Sequence, residues 1–250
     1  MAKTEEAQVN FGLVGRNISY SFSRGYFKKK FNDLGLTKHS YENFDLQEIT
    51  EFPAIFKSDT NIKGLNVTIP YKEEVIPYLD RLDASADKIG AVNTIKVDAN
   101  GLTGYNTDAV GFQKSLEPLL KKHHQKALIL GTGGASKAIA FVLEKLHIDF
   151  SFVSRSGKSK GFTYEQLDEN ILREHTLIIN CSPVGTFPNI EEKPDLPYQG
   201  ISDSHILYDL IYNPEETVFL KEGKKRGAMV SNGLRMLELQ AEKAWEIWNS

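Results

Sequence analysis

Along the chain, short apolar runs closed by glycine or proline alternate with stretches of helical periodicity. Residues 11–15 (Phe-Gly-Leu-Val-Gly) predict a buried strand, residues 22–34 a helix, residues 41–46 an alternating strand, and residues 65–69 a third strand stopped by Pro70. Residues 72–88 predict two short helices parted by Pro77. Residues 92–97 and 102–105 flank Asn100-Gly101, a hairpin turn signal, and Asp108 opens a helix running toward Leu120. From Ala127 strands at 127–130, 150–153, 177–179 and 206–210 alternate with helical stretches. That βαβ pattern predicts a doubly wound parallel sheet with helices on both faces, preceded by a separate α/β structure of similar size that contains an antiparallel hairpin. The last helix, 233–248, carries Leu234, Leu237, Ala241, Ala244, Trp245, Ile247 and Trp248 on one arc. Gln240 falls within that arc, either as a core amide bonded to backbone or facing a polar ligand.

The sharpest local signal is the apolar run 128–130 followed by Gly131-Thr132-Gly133-Gly134-Ala135-Ser136 and a helical stretch. Strand, glycine turn and helix start together suit a pyrophosphate, because glycines permit close backbone approach and the helix N-terminus offers free N–H groups. A glycine-rich structural turn is the alternative, since Ser136 replaces the third glycine of the usual fingerprint. The next strand ends Ser154-Arg155-Ser156-Gly157-Lys158, with no acid to accept a ribose 2′-hydroxyl. A guanidinium among hydroxyls suits a 2′-phosphate instead, which favours NADP over NAD; a solvated basic loop is the other reading.

Composition narrows the partners. The 250 residues are 40% hydrophobic and 25% charged, with net charge −3. That is an ordinary globular balance and lacks the basic excess expected of a nucleic-acid or anionic-membrane binder. No apolar run approaches the ~18 residues of a membrane helix, and the polar, acidic start shows no signal peptide. One cysteine, Cys181, excludes an internal disulfide and suits a reducing, cytoplasmic setting. Its plain reading is a small buried residue at a strand end. The six histidines show no metal-ligand spacing, so no metal is expected.

In the first half, polar residues gather at element ends, where α/β clefts are built. Ser21 and Ser23 could jointly hold a carboxylate or cap the helix that follows. Asn66 and Thr68 share a strand face, with Lys72 just beyond as a site residue or a solvated lysine; Asn93 opens a strand. Asn106-Thr107-Asp108 puts a carboxylate at a helix start, as site residue or first-turn acid.

Taken as a set, Ser21-Phe22-Ser23, residues 66–72 (Asn-Val-Thr-Ile-Pro-Tyr-Lys), residues 90–94, residues 106–108, the glycine loop and residues 232–237 leading to Gln240 resemble the shikimate dehydrogenases over nearly the whole chain. The resemblance implies NADP-dependent interconversion of 3-dehydroshikimate and shikimate, by a monomer or homodimer acting on a small molecule. It implies an N-terminal α/β substrate domain (1–107 plus 231–250), a Rossmann-like NADP domain (108–230) and a cleft between them. Carried over by position, Lys72 and Asp108 are the catalytic pair, and Ser21 and Ser23 the carboxylate clamp. Asn66, Thr68, Lys72, Asn93, Asp108 and Gln240 bind the substrate, with Tyr212 nearby. Gly131, Thr132, Gly133, Gly134 and Ala135 cradle the pyrophosphate. Ser154, Arg155 and Ser156 face the 2′-phosphate, helped by Lys158 or Lys160 where the family commonly has a second arginine. Leu210 and Gly233 border the nicotinamide. The chain departs from the family pattern at Tyr20, Arg24 and Phe27 near the clamp, and at Asn180-Cys181-Ser182. A quinate/shikimate dehydrogenase with broader substrate and NAD use, and a non-catalytic NADP-binding sensor, are the competing readings.

Overall fold

A computed structural model of the chain describes residues 8–19, 21–59, 61–155 and 161–250. The chain divides into two compact units, one reaching Thr107 and taking up Ala241–Ser250, the other Asp108–Gln240. The second boundary therefore falls inside the last helix, beyond the Ser231 expected from sequence.

The first unit contains β1 (Val9–Gly15), α1 (Phe22–Asp33), β2 (His39–Asp45), α2 (Phe52–Ser58), β3 (Ile62–Val67), β4 (Arg81–Leu82), α3 (Ala84–Ile89), β5 (Thr94–Asp98) and β6 (Gly101–Tyr105). Its sheet runs β2-β1-β3-β5-β6-β4. β1 pairs in parallel with β2 and β3, while β5 is antiparallel to both β3 and β6. β1 is central and buried on both faces, which is why it reads as a continuous apolar run. Phe11 and Leu13 enter one core cluster with Phe27, Phe31, Tyr41 and Trp248, and Val14 enters the opposite one with Leu65, Val67, Tyr71 and Ile95. Trp248 supplies a large apolar surface, worth on the order of 4–5 kcal/mol by area. Its indole N–H donates to the Ile95 carbonyl at 3.0 Å, so the polar end is satisfied too.

Residues 72–88 depart from the expected pair of helices. Only a one-turn 3-10 helix at Ile76–Tyr78, the short β4 and the six-residue α3 form there. Tyr71 and Val75 are wholly buried and Pro77 lacks an N–H, so side-chain burial and the missing donor override helical periodicity.

The second unit contains α4 (Thr107–Leu116, whose first residue belongs to the first unit), β7 (Lys126–Leu130), α5 (Gly134–Lys145), β8 (Asp149–Val153), β9 (Gly161–Phe162), α6 (Glu169–Glu174), β10 (Leu177–Asn180), β11 (Ile206–Asp209), α7 (Val218–Lys224), β12 (Met229–Ser231) and α8 (Leu234–Trp248, which continues into the first unit). The sheet is parallel throughout, in the order β12-β11-β10-β7-β8-β9. Leu128, Leu130, Ile178 and Leu207 pack with Leu172 of α6 and Phe219 and Leu220 of α7. The alternate residue Tyr208 meets α4 on the other face, edge-on to Phe112 and hydrogen-bonded to Ser115 at 2.6 Å. Helices thus cover both faces, and the strand order reverses between β7 and β10, a topological switch point.

The buried face of α8 differs from the predicted arc. Met236, Gln240, Ala244 and Trp248 form a buried i, i+4 ladder, whereas Leu234 is exposed. The shift follows from close backbone packing, since a Cβ on Gly111 of α4 would lie 2.5 Å from the Met236 carbonyl and 3.1 Å from the Gln240 Cβ.

Candidate functional site

In the first unit a buried polar chain runs beside β3 and β5. Tyr41 donates to Asn66 Oδ1 at 2.8 Å, and Asn66 Nδ2 donates to the Asn93 carbonyl at 3.3 Å and to Thr94 Oγ1 at 3.2 Å. Asn93 Oδ1 accepts from the Thr107 N–H at 2.7 Å, from Thr107 Oγ1 at 3.1 Å and from Thr94 Oγ1 at 3.2 Å. Asn106 Nδ2 donates to the Ala91 carbonyl at 2.9 Å. These bonds fix the residues immediately before Asp108. Ser23 is buried and hydrogen-bonded to Tyr41, whose hydroxyl burial pushes far above the ordinary phenol value. Ser21 occupies the N-cap position of α1, but its hydroxyl makes no capping bond.

Thr68 and Lys72 lie on the turn after β3, which is tightly stapled. The Thr68 N–H donates to the Val14 carbonyl, the Tyr71 N–H to the Thr68 carbonyl, and the Val92 N–H to the Lys72 carbonyl at 2.7 Å. Tyr71, wholly buried, donates to the Leu46 carbonyl and accepts from Arg16 Nε. The backbone carrying Lys72 is therefore held from both sides of the turn.

In the second unit the glycine loop sits at the switch point. Gly131 has φ +102°, open only to glycine without strain, and a Cβ there would lie 3.3 Å from the Ser182 N–H nitrogen beyond β10. Gly133 is the N-cap of α5, has no side-chain cap, and would place a Cβ in open space. Ser136 turns inward, its hydroxyl donating to the Gly133 carbonyl at 2.6 Å. The N–H groups of Gly134 and Ala135 open the helix and have no intrahelical acceptor. Glycine backbone, uncapped helix start and free space fit a pyrophosphate. At the end of β8, Ser154 is buried with its N–H on the Phe162 carbonyl, and Arg155 is exposed. Arg155 acts electrostatically on Tyr164, whose hydroxyl burial pushes up. No acid ends this strand, so the residues suit a 2′-phosphate better than a free 2′-hydroxyl. Ser156, Lys158 and Lys160 lie outside the described residues.

Leu210 and Gly233 meet directly. The Leu210 N–H donates to the Asn180 carbonyl, the Gly233 N–H donates to the Ile211 carbonyl, and a Cβ on Gly233 would lie 2.1 Å from the Leu210 carbonyl oxygen. Tyr212 follows in the same segment and is half-buried; Gln240 is buried in α8. Burial, then the nearby Asp209 carboxylate, pushes the Cys181 thiol up, which makes it a poor nucleophile.

Comparison with known proteins places the chain. Residues 13–95 match the shikimate dehydrogenase substrate binding domain. A shikimate dehydrogenase (NADP(+)) of Clostridium botulinum is 40% identical over 252 residues, covering 95% of both chains. One from Methanococcus vannielii is 37% identical over 260 residues, covering 96% of this chain and 91% of its own. The chain belongs to the shikimate dehydrogenase family. A solved shikimate 5-dehydrogenase of Thermus thermophilus, in complex with NADP(H) and shikimate, superposes with TM-score 0.84 at 30% identity, covering 96% of this chain and 93% of that one.

As a member of the shikimate dehydrogenase family, the chain gathers its polar residues into one set per unit. The first unit brings Ser23, Asn66 and Asn93 together through Tyr41 and Thr94, neither of which sequence reasoning singled out. The second brings Gly131 beside Ser182 and Leu210 beside Gly233. It also reveals Asp209, fully buried and read from sequence only as a strand residue. Among the described residues no group of three or more His, Cys, Asp or Glu stands ready to hold a metal ion.

Proposed function

We propose that the chain is an NADP-dependent shikimate dehydrogenase that interconverts 3-dehydroshikimate and shikimate in the route to aromatic amino acids. End-to-end similarity to NADP(+) enzymes carries this reading, in a chain that retains both a polar set around β3 and β5 and a glycine cradle at the switch point. NADPH, when bound, supplies the hydride that reduces the ketone carbon. The oxygen of that ketone must then gain a proton. Lys72 Nζ holds the carbonyl oxygen, offsets its developing charge and delivers the proton, recovering it from water afterwards. Asp108 orients Lys72 and accepts a hydrogen bond from a substrate hydroxyl. Ser21 and Ser23 hold the substrate carboxylate, and Asn66, Thr68, Asn93, Tyr212 and Gln240 sort the ring hydroxyls.

On the cofactor side, the backbone of Gly131 to Ala135 holds the pyrophosphate. Ser154, Arg155, Ser156 and Lys158 take the 2′-phosphate, and Leu210 and Gly233 border the nicotinamide.

The test is initial rates with shikimate or quinate and NADP or NAD, beside Lys72→Ala. Turnover with shikimate and NADP alone, reduced ~10²- to 10⁴-fold in the variant, is the expected outcome. Comparable rates with quinate or NAD would make the enzyme a broader quinate/shikimate dehydrogenase. No turnover despite NADP binding would make it a sensor.

A further inference from the structure

Asp209 ends β11 with no exposed surface, and its carboxylate accepts hydrogen bonds from the end of β10, from the segment after β11 and from the start of α7. Its Oδ1 accepts from Asn180 Nδ2 at 3.1 Å and from the Ile211 N–H at 3.0 Å, while Oδ2 accepts from Thr217 Oγ1 at 2.7 Å. Asn180 uses its other atom, Oδ1, to accept from the Ser182 N–H at 3.0 Å and from the Ser182 hydroxyl at 2.6 Å. The chain of bonds thus runs from Thr217, the N-cap of α7, through Asp209 and Asn180 to Ser182. Ser182 and its neighbour Cys181 are the residues that a Cβ on Gly131 would meet first.

Both ends of this chain reach places a dinucleotide must touch. At one end Ser182 backs Gly131, the first residue of the pyrophosphate loop. At the other, the bond to Ile211 sets the backbone one residue past Leu210, the residue whose carbonyl meets Gly233. A buried carboxylate is expensive to desolvate and is retained only where its bonds do something an apolar side chain cannot. Here it ties the end of β10 to the segment after β11, beside the longer bonds that Phe187 and Thr186 make to the Asn213 carbonyl. An apolar residue of the same size would leave the Ile211 N–H and the Asn180 amide buried without this acceptor.

We propose that Asp209 is a positioning residue for the dinucleotide, fixing through Asn180 and Ile211 the spacing between the pyrophosphate loop and the nicotinamide border. The proposal rests on the NADP reading above. Asp209 touches no reacting atom; it acts through the backbone it holds. The substrate-binding residues of the first unit are outside this chain of bonds, and of those in the second unit only Tyr212 adjoins it, through Ile211, so the effect of Asp209 falls first on the cofactor.

The experiment measures dissociation constants of NADP+ and, separately, of shikimate by calorimetry on the full chain, without turnover. Asp209→Ala should weaken NADP+ about tenfold or more and change shikimate by no more than about twofold. Asp209→Asn should stay within about threefold of the parent, because the amide oxygen can still accept from Asn180 and Ile211 and the amide nitrogen can donate to Thr217. Should Asp209→Ala fail to fold, Thr217→Val, which removes the hydroxyl and keeps the shape, should weaken NADP+ about threefold with shikimate again within about twofold. Equal NADP+ affinity in the parent and in Asp209→Ala or Thr217→Val overturns the proposal. So does an Asp209→Asn variant as weak as Asp209→Ala, or a parallel loss of shikimate. A parent chain that does not bind NADP+ overturns the cofactor reading itself and is distinguishable from all of these.

Discussion

The hydroxyl of Tyr41 is the donor to Asn66, and the polarity of that bond is dictated by a main-chain carbonyl one step further on. The Asn93 carbonyl can only accept, so Asn66 must turn its Nδ2 toward it and its Oδ1 toward Tyr41. Tyr41 then has no proton left, and Ser23 must donate to it. Three side chains from α1, β2 and β3 therefore have their hydrogen-bond directions set by one peptide group.

Tyr41→Phe keeps the ring stacked on Phe27, 4.7 Å between centroids, and removes only the hydroxyl. Asn66 Oδ1 would then be buried with its donor gone, at a cost of about 1–3 kcal/mol. Urea unfolding should show that loss with an unchanged slope. A variant as stable as the parent would mean that another donor reaches Asn66, and the dictated polarity would be wrong.

Gly233→Ala tests the close packing of Gly233 on Leu210. Its Cβ would meet the Leu210 carbonyl at 2.1 Å, and backbone cannot yield as a side-chain tip can. The chain must shift at Leu210 or at the start of α8, costing about 1–3 kcal/mol. If these residues border the nicotinamide, KM for NADP should rise ~10-fold while shikimate binding stays level. Normal NADP kinetics in a destabilised variant would remove the pair from the cofactor site and leave the packing role standing.

Arg155→Ala should separate the two cofactors. The guanidinium is exposed at the end of β8, close enough to act on the Tyr164 hydroxyl, and if it holds a 2′-phosphate in bidentate fashion that hold is lost in the variant. KM for NADP should rise ~10- to 100-fold and KM for NAD should stay put. An equal change for both would assign Arg155 to the shared part of the cofactor or to the local fold.

What the chain order reveals and what it hides divide along physical lines. β1, β7 and the Gly131 turn are legible because burial on both faces and a left-handed φ leave local marks, and Asn100-Gly101 does the same for the β5–β6 hairpin. Residues 72–88 misled because Tyr71 and Val75 are pulled into a core that periodicity does not see. The face of α8 misled because Gly111 admits the helix backbone and so buries Met236 in place of Leu234. Tyr41 and Asp209 were invisible for a stronger reason. Each is a plausible strand residue, and its task depends on Asn66 and Asn180, which reach it only through strand pairing across the sheet.

Asp209 also sets a pH dependence of stability whose sign is unusual for a carboxylate. Burial pushes its carboxyl up from 3.8 to about 6, outweighing the bonds from Thr217, Ile211 and Asn180 that favour the charged form. Between about pH 4 and pH 6 the folded chain therefore holds this proton while the unfolded chain has released it, so stability falls as pH rises through that window and levels off above it. A rise of that size corresponds to about 3 kcal/mol. His124 and His205 work in the opposite sense. Each accepts a backbone N–H at Nδ1, from Lys121 and Ser202, and burial lowers both. Their contribution is full above the ordinary histidine range and is lost as pH falls. Both histidines are common to the parent and Asp209→Asn, so the difference between the two proteins isolates the carboxylate. Unfolding free energies measured by urea from pH 4 to pH 7 should show the parent losing ground to the variant by about 3 kcal/mol, nearly all of it below about pH 6.5. Parallel curves would mean that Asp209 ionises in the folded chain as it does in the unfolded one, and that its bonds compensate fully for its burial.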